Sequence, residues 1–169
     1  FSEGASHSGL GVIYAKSSQF EDAIESHERS LAIYREIKNR TFEGNELQNL
    51  GNVYKLLGRD EKAVEYFIQA LAVHRDVNYR VGEGDVLNNL SDSYTRLNRD
   101  EEAMRTQQQA LALYRELKYR LGEGTALLSL GTQHAKLAQS EKALEIYEQA
   151  LSIFREVKNR ENEGLTLFR

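Results

Sequence analysis

The chain has 169 residues, enough for one sizeable core, with no Pro, no Cys and a formal charge of −4 spread over interleaved acids and bases. Without Cys there is no disulfide framework, thiolate nucleophile or Cys-based zinc site, and without Pro long helices run uninterrupted. The acidic balance argues against nucleic acid, whose phosphates need a clustered basic surface, and no apolar run nears the roughly 20 residues that span a bilayer. The opening Phe1-Ser2-Glu3-Gly4 has neither an initiator Met nor a signal pattern, and it starts in mid-pattern. A cytoplasmic fragment of a longer array is the expectation.

In chain order, apolar periodicity predicts helices near 2–17, 20–38, 42–57, 60–78, 82–97, 100–118, 122–137 and 140–158, and a truncated ninth from 162. In the second pair, Leu47, Leu50, Tyr54 and Leu57 share one helix face, while Ala63, Phe67, Ala70, Leu71, His74 and Val77 share another. Gly58 and Asn98 read as left-handed stops, and Asp60, Asp100 and Ser140 as caps of the helices that follow.

The predicted helices belong to a strict 40-residue repeat. Arg35, Arg75, Arg115 and Arg155 share a column, as do Arg40, Arg80, Arg120 and Arg160; Glu3-Gly4 recurs at 43–44, 83–84, 123–124 and 163–164. Leu10, Leu50, Leu90 and Leu130 are each followed by a small residue, Gly11, Gly51, Ser91 or Gly131. Ala23, Ala63, Ala103 and Ala143 also align. The repeats are therefore 1–40, 41–80, 81–120 and 121–160, with a partial fifth at 161–169, in a single array. One helical hairpin cannot bury both apolar faces, so neighbours must stack into a solenoid. The small column is expected where two helices of a hairpin approach too closely for a side chain.

These residues resemble the tetratricopeptide repeat family. Its Leu-Gly, aromatic, Ala, aromatic, Ala pattern stands in copy two as Leu50-Gly51, Tyr54, Ala63, Phe67 and Ala70. Copy three has Leu90-Ser91, Tyr94, Ala103, Gln107 and Ala110, and copy four Leu130-Gly131, His134, Ala143, Tyr147 and Ala150. Copy one is looser, with His27 and Ser30 in the last two places. The usual repeat has about 34 residues; at 40, the second helix is expected to run over a turn longer. The long form is similar to the Leu-Gly-Asn-rich cell-polarity adaptors and to bacterial arrays attached to signalling ATPases and caspase-like proteases. The resemblance implies an all-α, right-handed α-solenoid and a protein-binding scaffold rather than an enzyme.

It also implies that the first helix of each hairpin lines a concave face. Opposite the apolar stripe, copy two offers Asn45, Gln48, Asn49, Asn52 and Lys55, with Leu56; copy three offers Asp85, Asn88, Asn89, Asp92 and Arg96, with Thr95. Copy four offers Ser129, Thr132 and Lys136, with Thr125 and Leu128, and copy one Ala5, Ser8, Gly9, Val12 and Lys16. Asn is a mediocre helix former, about 0.5 kcal/mol worse than Ala, so a cluster on one face asks for a purpose beyond solubility. An amide pairs with both N–H and C=O of an extended peptide. The expected ligand is an extended segment held by Asn49, Asn52, Asn88 and Asn89, its acidic side chains read by Lys55, Arg96 and Lys136.

Other constellations read as structural. The Arg columns pair with the Glu three residues on; His7, His27, His74 and His134 sit in different columns and suggest packing rather than metal. Tyr14, Tyr34, Tyr54, Tyr94, Tyr114 and Phe154 repeat in register as packing residues. Carboxylates are expected mostly on charged outer faces, where nothing would perturb them. Gly82-Glu83-Gly84 and Gly122-Glu123-Gly124 belong to the repeat link rather than to a phosphate loop, so no cofactor is expected. No helix pairs a bulky apolar face with a strongly basic one, which argues against a membrane surface. The alternative function is self-assembly or regulatory packing through the ends, where Leu165, Leu167 and Phe168 lack a complete hairpin to cover them.

Overall fold

The computed structural model describes residues 2–167. Its elements are α1 (Ser2–Lys16), α2 (Phe20–Glu36), α3 (Arg40–Leu56), α4 (Asp60–Asp76), α5 (Arg80–Arg96), α6 (Asp100–Glu116), α7 (Arg120–Lys136), α8 (Ser140–Glu156) and α9 (Arg160–Leu167), and no strand occurs among the described residues. Phe168 of the expected uncovered end lies outside them.

From α2 to α8 every helix has 17 residues and every connector has three. The 40-residue repeat is therefore two equal halves of 20, and the expected longer second helix is not there. One device sets the spacing. Ser18, Lys38, Gly58, Asn78, Asn98, Lys118, Ala138 and Lys158 all take φ between 54° and 69°. After each, the next N–H returns to a carbonyl five residues back, as from Arg59 to Tyr54 at 2.9 Å, while the left-handed residue itself bonds three back, as from Gly58 to Lys55 at 3.0 Å. This is the Schellman arrangement, which satisfies carbonyls orphaned at a helix end. Lys carries no left-handed signature, so the sequence reading let second helices run to 38, 118 and 158, two residues too far, and it passed over Asn78 in the same way.

The capping expectation for Asp60, Asp100 and Ser140 also fails. Each is the first helical residue, preceded by Arg59, Arg99 or Gln139 at a cap position that makes no side-chain bond. The Asp60 and Asp100 carboxylates are drawn instead to Arg96 and Lys136 of the next repeat, at 3.3 and 2.7 Å. Side-chain caps come from Asn39, which accepts from the Phe42 N–H at 3.3 Å, and Asn159, which accepts from that of Asn162 at 3.0 Å.

Each first helix packs on the second helix of its own repeat, and each second helix on the first helix of the next. Successive first helices (α1 with α3, α3 with α5, α5 with α7) also touch, whereas successive second helices lie farther apart. That inequality curves the stack and places the first helices on its inner side. The core runs along the stack through Leu47, Leu50, Phe67, Ala63, Val86 and Leu90, then through Leu87, Tyr114, Ala126, Leu130 and Phe154.

Small residues sit where expected. A Cβ on Gly51 would lie 2.6 Å from the Phe67 ring, one on Gly131 2.5 Å from Tyr147, and one on Gly11 2.6 Å from His27. Copy three, lacking the aromatic, has Ser91 there, whose hydroxyl donates to the Ala103 carbonyl at 2.8 Å. The Glu-Gly pairs lie inside the first turn of α3, α5 and α7 rather than in a link, with Gly44, Gly84 and Gly124 pressed against His74, Tyr114 and Phe154. Their glutamates, Glu43, Glu83 and Glu123, are buried between two arginines. Around Glu83, Arg75 donates at 2.8 Å and Arg80 at 3.2 Å, and Arg80 reaches on to Glu116 at 2.7 Å. The same chain links Arg35, Glu43, Arg40 and Asp76, then Arg115, Glu123, Arg120 and Glu156.

Candidate functional site

The inner face carries one cavity of about 300 Å3 whose walls come from four repeats. Gln48 lies on α3, Asp85, Asn88 and Asn89 on α5, Thr125 on α7 and Asn162 on α9. Tyr114 of α6, Tyr119 in the connector before α7, and Leu121 and Gly122 at the start of α7 complete it. A smaller hollow of about 180 Å3 lies between α5 and α7, lined by Asp92, Thr95, Leu128, Ser129, Thr132 and Gln133. Gln48, Asp85, Asn88 and Asn89 of the predicted groove thus share the first cavity, while Asp92, Ser129 and Thr132 share the second.

Asn45, Asn49 and Asn52 are half-buried along α3 and line neither cavity. Among the described residues, Asn45, Gln48, Asn49 and Asn52 make no side-chain hydrogen bond within the protein. Asn88 and Asn89 are already engaged: the Asn88 carbonyl accepts from Gln107 Nε2, and the Asn89 carbonyl from Lys55 Nζ, each at 2.8 Å. Each bond spends an acceptor and leaves the amide N–H donors for a ligand.

The basic row is tied into repeat-to-repeat pairs. Lys55 lies 3.2 Å from Asp92, Arg96 3.3 Å from Asp60, and Lys136 2.7 Å from Asp100. Lys136 also donates to the Thr95 carbonyl at 3.2 Å and to Asn98 Oδ1 at 3.0 Å. An acidic ligand would have to displace an internal carboxylate at each.

Asp85 and Asp60 depart from the expectation that carboxylates fall mostly on outer faces with nothing to perturb them. Burial pushes Asp85 above the ordinary carboxylate range, against the hydroxyl of Tyr114, which donates to it at 2.8 Å and lowers it. Burial and the Asp85 charge push the Tyr114 hydroxyl up in turn. Burial also raises Asp60, partly offset by Arg96. Glu46, read as neither core nor site, is fully buried with His27 Nδ1 at 2.7 Å.

Tyr114, Tyr119 and Asn162 escaped the sequence reading as groove residues. Tyr114 stands in a packing column, and Tyr119 in a connector whose counterparts are Asn39, Tyr79 and Asn159. The rings of Tyr114 and Tyr119 meet edge to face, centroids 5.6 Å apart. Among the described residues no cluster of three or more His, Asp or Glu could hold a metal ion, and no helix is long and apolar enough to cross a membrane.

The sequence matches no curated protein. Its fold is shared by aspartyl phosphate phosphatase F from Bacillus subtilis at 15% identity (TM-score 0.93), covering 99% of this chain and 44% of that one. The Rap conjugation gene regulator of plasmid pLS20, solved in complex with the Phr* peptide, is 19% identical (TM-score 0.84; 98% and 45% covered). A signal transduction ATPase with numerous domains from Pyrococcus horikoshii, carrying a tetratricopeptide repeat sensor, is also 19% identical (TM-score 0.86; 95% and 25% covered). The chain thus spans under half the length of each. The family profile described as tetratricopeptide repeat matches residues 2–76, 45–116 and 83–156, running through all four copies. The chain therefore belongs to the tetratricopeptide repeat family.

Proposed function

We propose that the chain is a protein-interaction scaffold whose inner face binds a peptide segment in extended form. The carrying observation is the cavity of about 300 Å3 into which α3, α5 and α9 together bring Gln48, Asn88, Asn89 and Asn162. Four amides spread over three repeats suit a ligand that runs along the stack, because each can hold a peptide group without reading its side chain. Asn45, Asn49 and Asn52 extend the row along α3. The peptide complex of the Rap regulator with the same fold supports this use of the architecture. Lys55, Arg96 and Lys136 border the groove as structural pairs, so they set the spacing of its walls before they read any charge.

The test is a random-peptide display selection on this chain and on Asn49→Ala/Asn89→Ala. Enriched peptides that lose at least tenfold affinity for the variant carry the reading. No enrichment, or binding indifferent to both residues, removes it.

A second reading has its own observation. Leu10 and Ile13 of α1 are 42% and 60% exposed, whereas Leu50 and Val53 in the same columns are 0% and 2% exposed beneath the preceding repeat. We propose that this face supports self-association. Light scattering across a concentration series tests it: mass should rise with concentration and fall back in Ile13→Asp, and a constant monomer mass rejects it.

A further inference from the structure

We infer that the cavity at Asp85 receives a cationic side chain of the bound peptide, an arginine or lysine, with Asp85 as its counter-charge and Tyr119 as the ring face beside it. This rests on the groove reading and adds the chemistry of one subsite.

The inner face has four aspartates near it, and three already have basic partners: Asp60 has Arg96, Asp92 has Lys55 and Asp100 has Lys136. Asp85 differs. Among the described residues no basic side chain pairs with it, and its one bond is the Tyr114 hydroxyl at 2.8 Å. It is also the sole charged group among the described residues that line the cavity. A carboxylate half-withdrawn from water with only neutral neighbours is held against its solvation, which is the environment that raises its pKa. A cation brought in by a ligand relieves that cost and gains a charge-assisted bond in a partly dry site.

The repeat shows that the arrangement is local to copy three. The column of Asp85 holds Ala5, Asn45 and Thr125 in the other copies. A helix needs no acid there. The Tyr114 hydroxyl occupies one side of the Asp85 carboxylate and leaves lone pairs free for a second donor. Beside it, Tyr119 is 38% exposed and edge-on to Tyr114, so its ring keeps surface for a guanidinium or ammonium group. The amides of Asn88 and Asn89 hold the backbone from which such a side chain would reach.

The experiment runs the random-peptide selection in parallel on the parent chain and on Asp85→Asn, which keeps an acceptor for the Tyr114 hydroxyl. Binders from the parent should carry Arg or Lys at one fixed position, and that preference should vanish from the Asp85→Asn pool. Citrulline for arginine, or norleucine for lysine, in a selected peptide removes the charge without touching the protein, and should weaken binding at least tenfold to the parent. Binding of the neutral twin within twofold overturns the proposal. Groove binders that fail on Asn49→Ala/Asn89→Ala yet show no basic preference overturn it too, while leaving the groove reading standing. No binders from any pool would sink both.

Discussion

Gly51 and Phe67 are in such close contact that a Cβ on the glycine would meet the ring at 2.6 Å. Both lie in the buried core where α3 crosses α4, so nothing can move aside without opening the hairpin. Gly51→Leu should therefore destabilise by about 2–3 kcal/mol through overpacking. Gly9→Ala is the control, since a Cβ there meets nothing within 4 Å on an exposed stretch of α1. It should stabilise by about 0.5–1 kcal/mol, because Gly in a helix is costly to order. Thermal unfolding reads both, and a shared sign would refute the close-approach argument.

His74 buries both ring nitrogens without a partner, against the edge of Tyr79, in the column that holds Tyr34, Tyr114 and Phe154 elsewhere. Burial lowers its pKa, with Glu83 opposing. The sign follows: the unfolded chain takes a proton near about pH 6.5, while the folded one resists. This contribution is intact above that pH and drains away as pH falls from about 6.5 towards the lower folded value. His74→Phe should stabilise by about 1–3 kcal/mol by removing unpaired polar atoms. It should also flatten the loss between pH 7 and pH 5, read as the parent-minus-variant difference in urea midpoint; parallel pH profiles would contradict the assignment.

Much of this fold was legible because a repeat reports each position several times. The Leu50 and Ala63 columns, the Gly51 contact and the Arg–Glu pairs all follow from register. What stayed hidden lies where the repeat breaks or where one side chain serves two tasks. Lys38, Lys118, Lys158 and Ala138 adopt a left-handed backbone with nothing in their chemistry to announce it. Asp60 looked like a cap because it opens a helix, but Arg96, 36 residues on, claims its carboxylate. The row from Gln48 to Asn89 could be placed on one face by periodicity. That Tyr119 and Asn162 would join it depends on curvature, which spacing along one chain does not encode.

The left-handed stops predict that one substitution changes sign with position. At Ala138, with φ of 59°, a Cβ crowds the following carbonyl, at a cost of roughly 1–2 kcal/mol. Ala138→Gly relieves it, less the extra freedom gained by the unfolded chain, for a net gain of about 0.5–1 kcal/mol. Ala112→Gly, on an exposed turn inside α6, should lose about 1 kcal/mol. Melting temperatures moving in opposite directions are expected; two losses would mean that the Ala138 connector is unstrained.

Glu83 joins three segments, accepting from Arg75 of α4 and from Arg80, which in turn reaches Glu116 of α6. Its carboxylate is buried, while the arginines are part-exposed and screened. Glu83→Gln should cost about 1–2 kcal/mol, below the full value of a buried charge-assisted pair. Glu116→Gln, at the exposed outer end, should cost under about 0.5 kcal/mol. Urea unfolding separates the two, and equal losses would show that the ladder is not anchored at its buried member.

Gln107 ties the core of copy three to the groove. It stands where copies two and four place Phe67 and Tyr147, and its amide donates to the Asn88 carbonyl at 2.8 Å and to the Ala126 carbonyl at 3.3 Å. Opposite it, Ser91 carries the Cβ that Gly51 must lack. Gln107→Phe alone should therefore destabilise by about 1–3 kcal/mol, since the new ring meets Ser91 as Phe67 would meet a side chain at Gly51. Adding Ser91→Gly should recover most of that loss, a coupling expected of residues in contact. The restored hairpin would still leave Asn88 without its donor, free to turn away from the ligand. The double variant should thus regain most of the parent melting temperature, short of the bond that Gln133 Nε2 makes to the Ser91 hydroxyl at 2.8 Å, but bind selected peptides several-fold more weakly. Full recovery of both stability and binding would show that Gln107 serves packing alone.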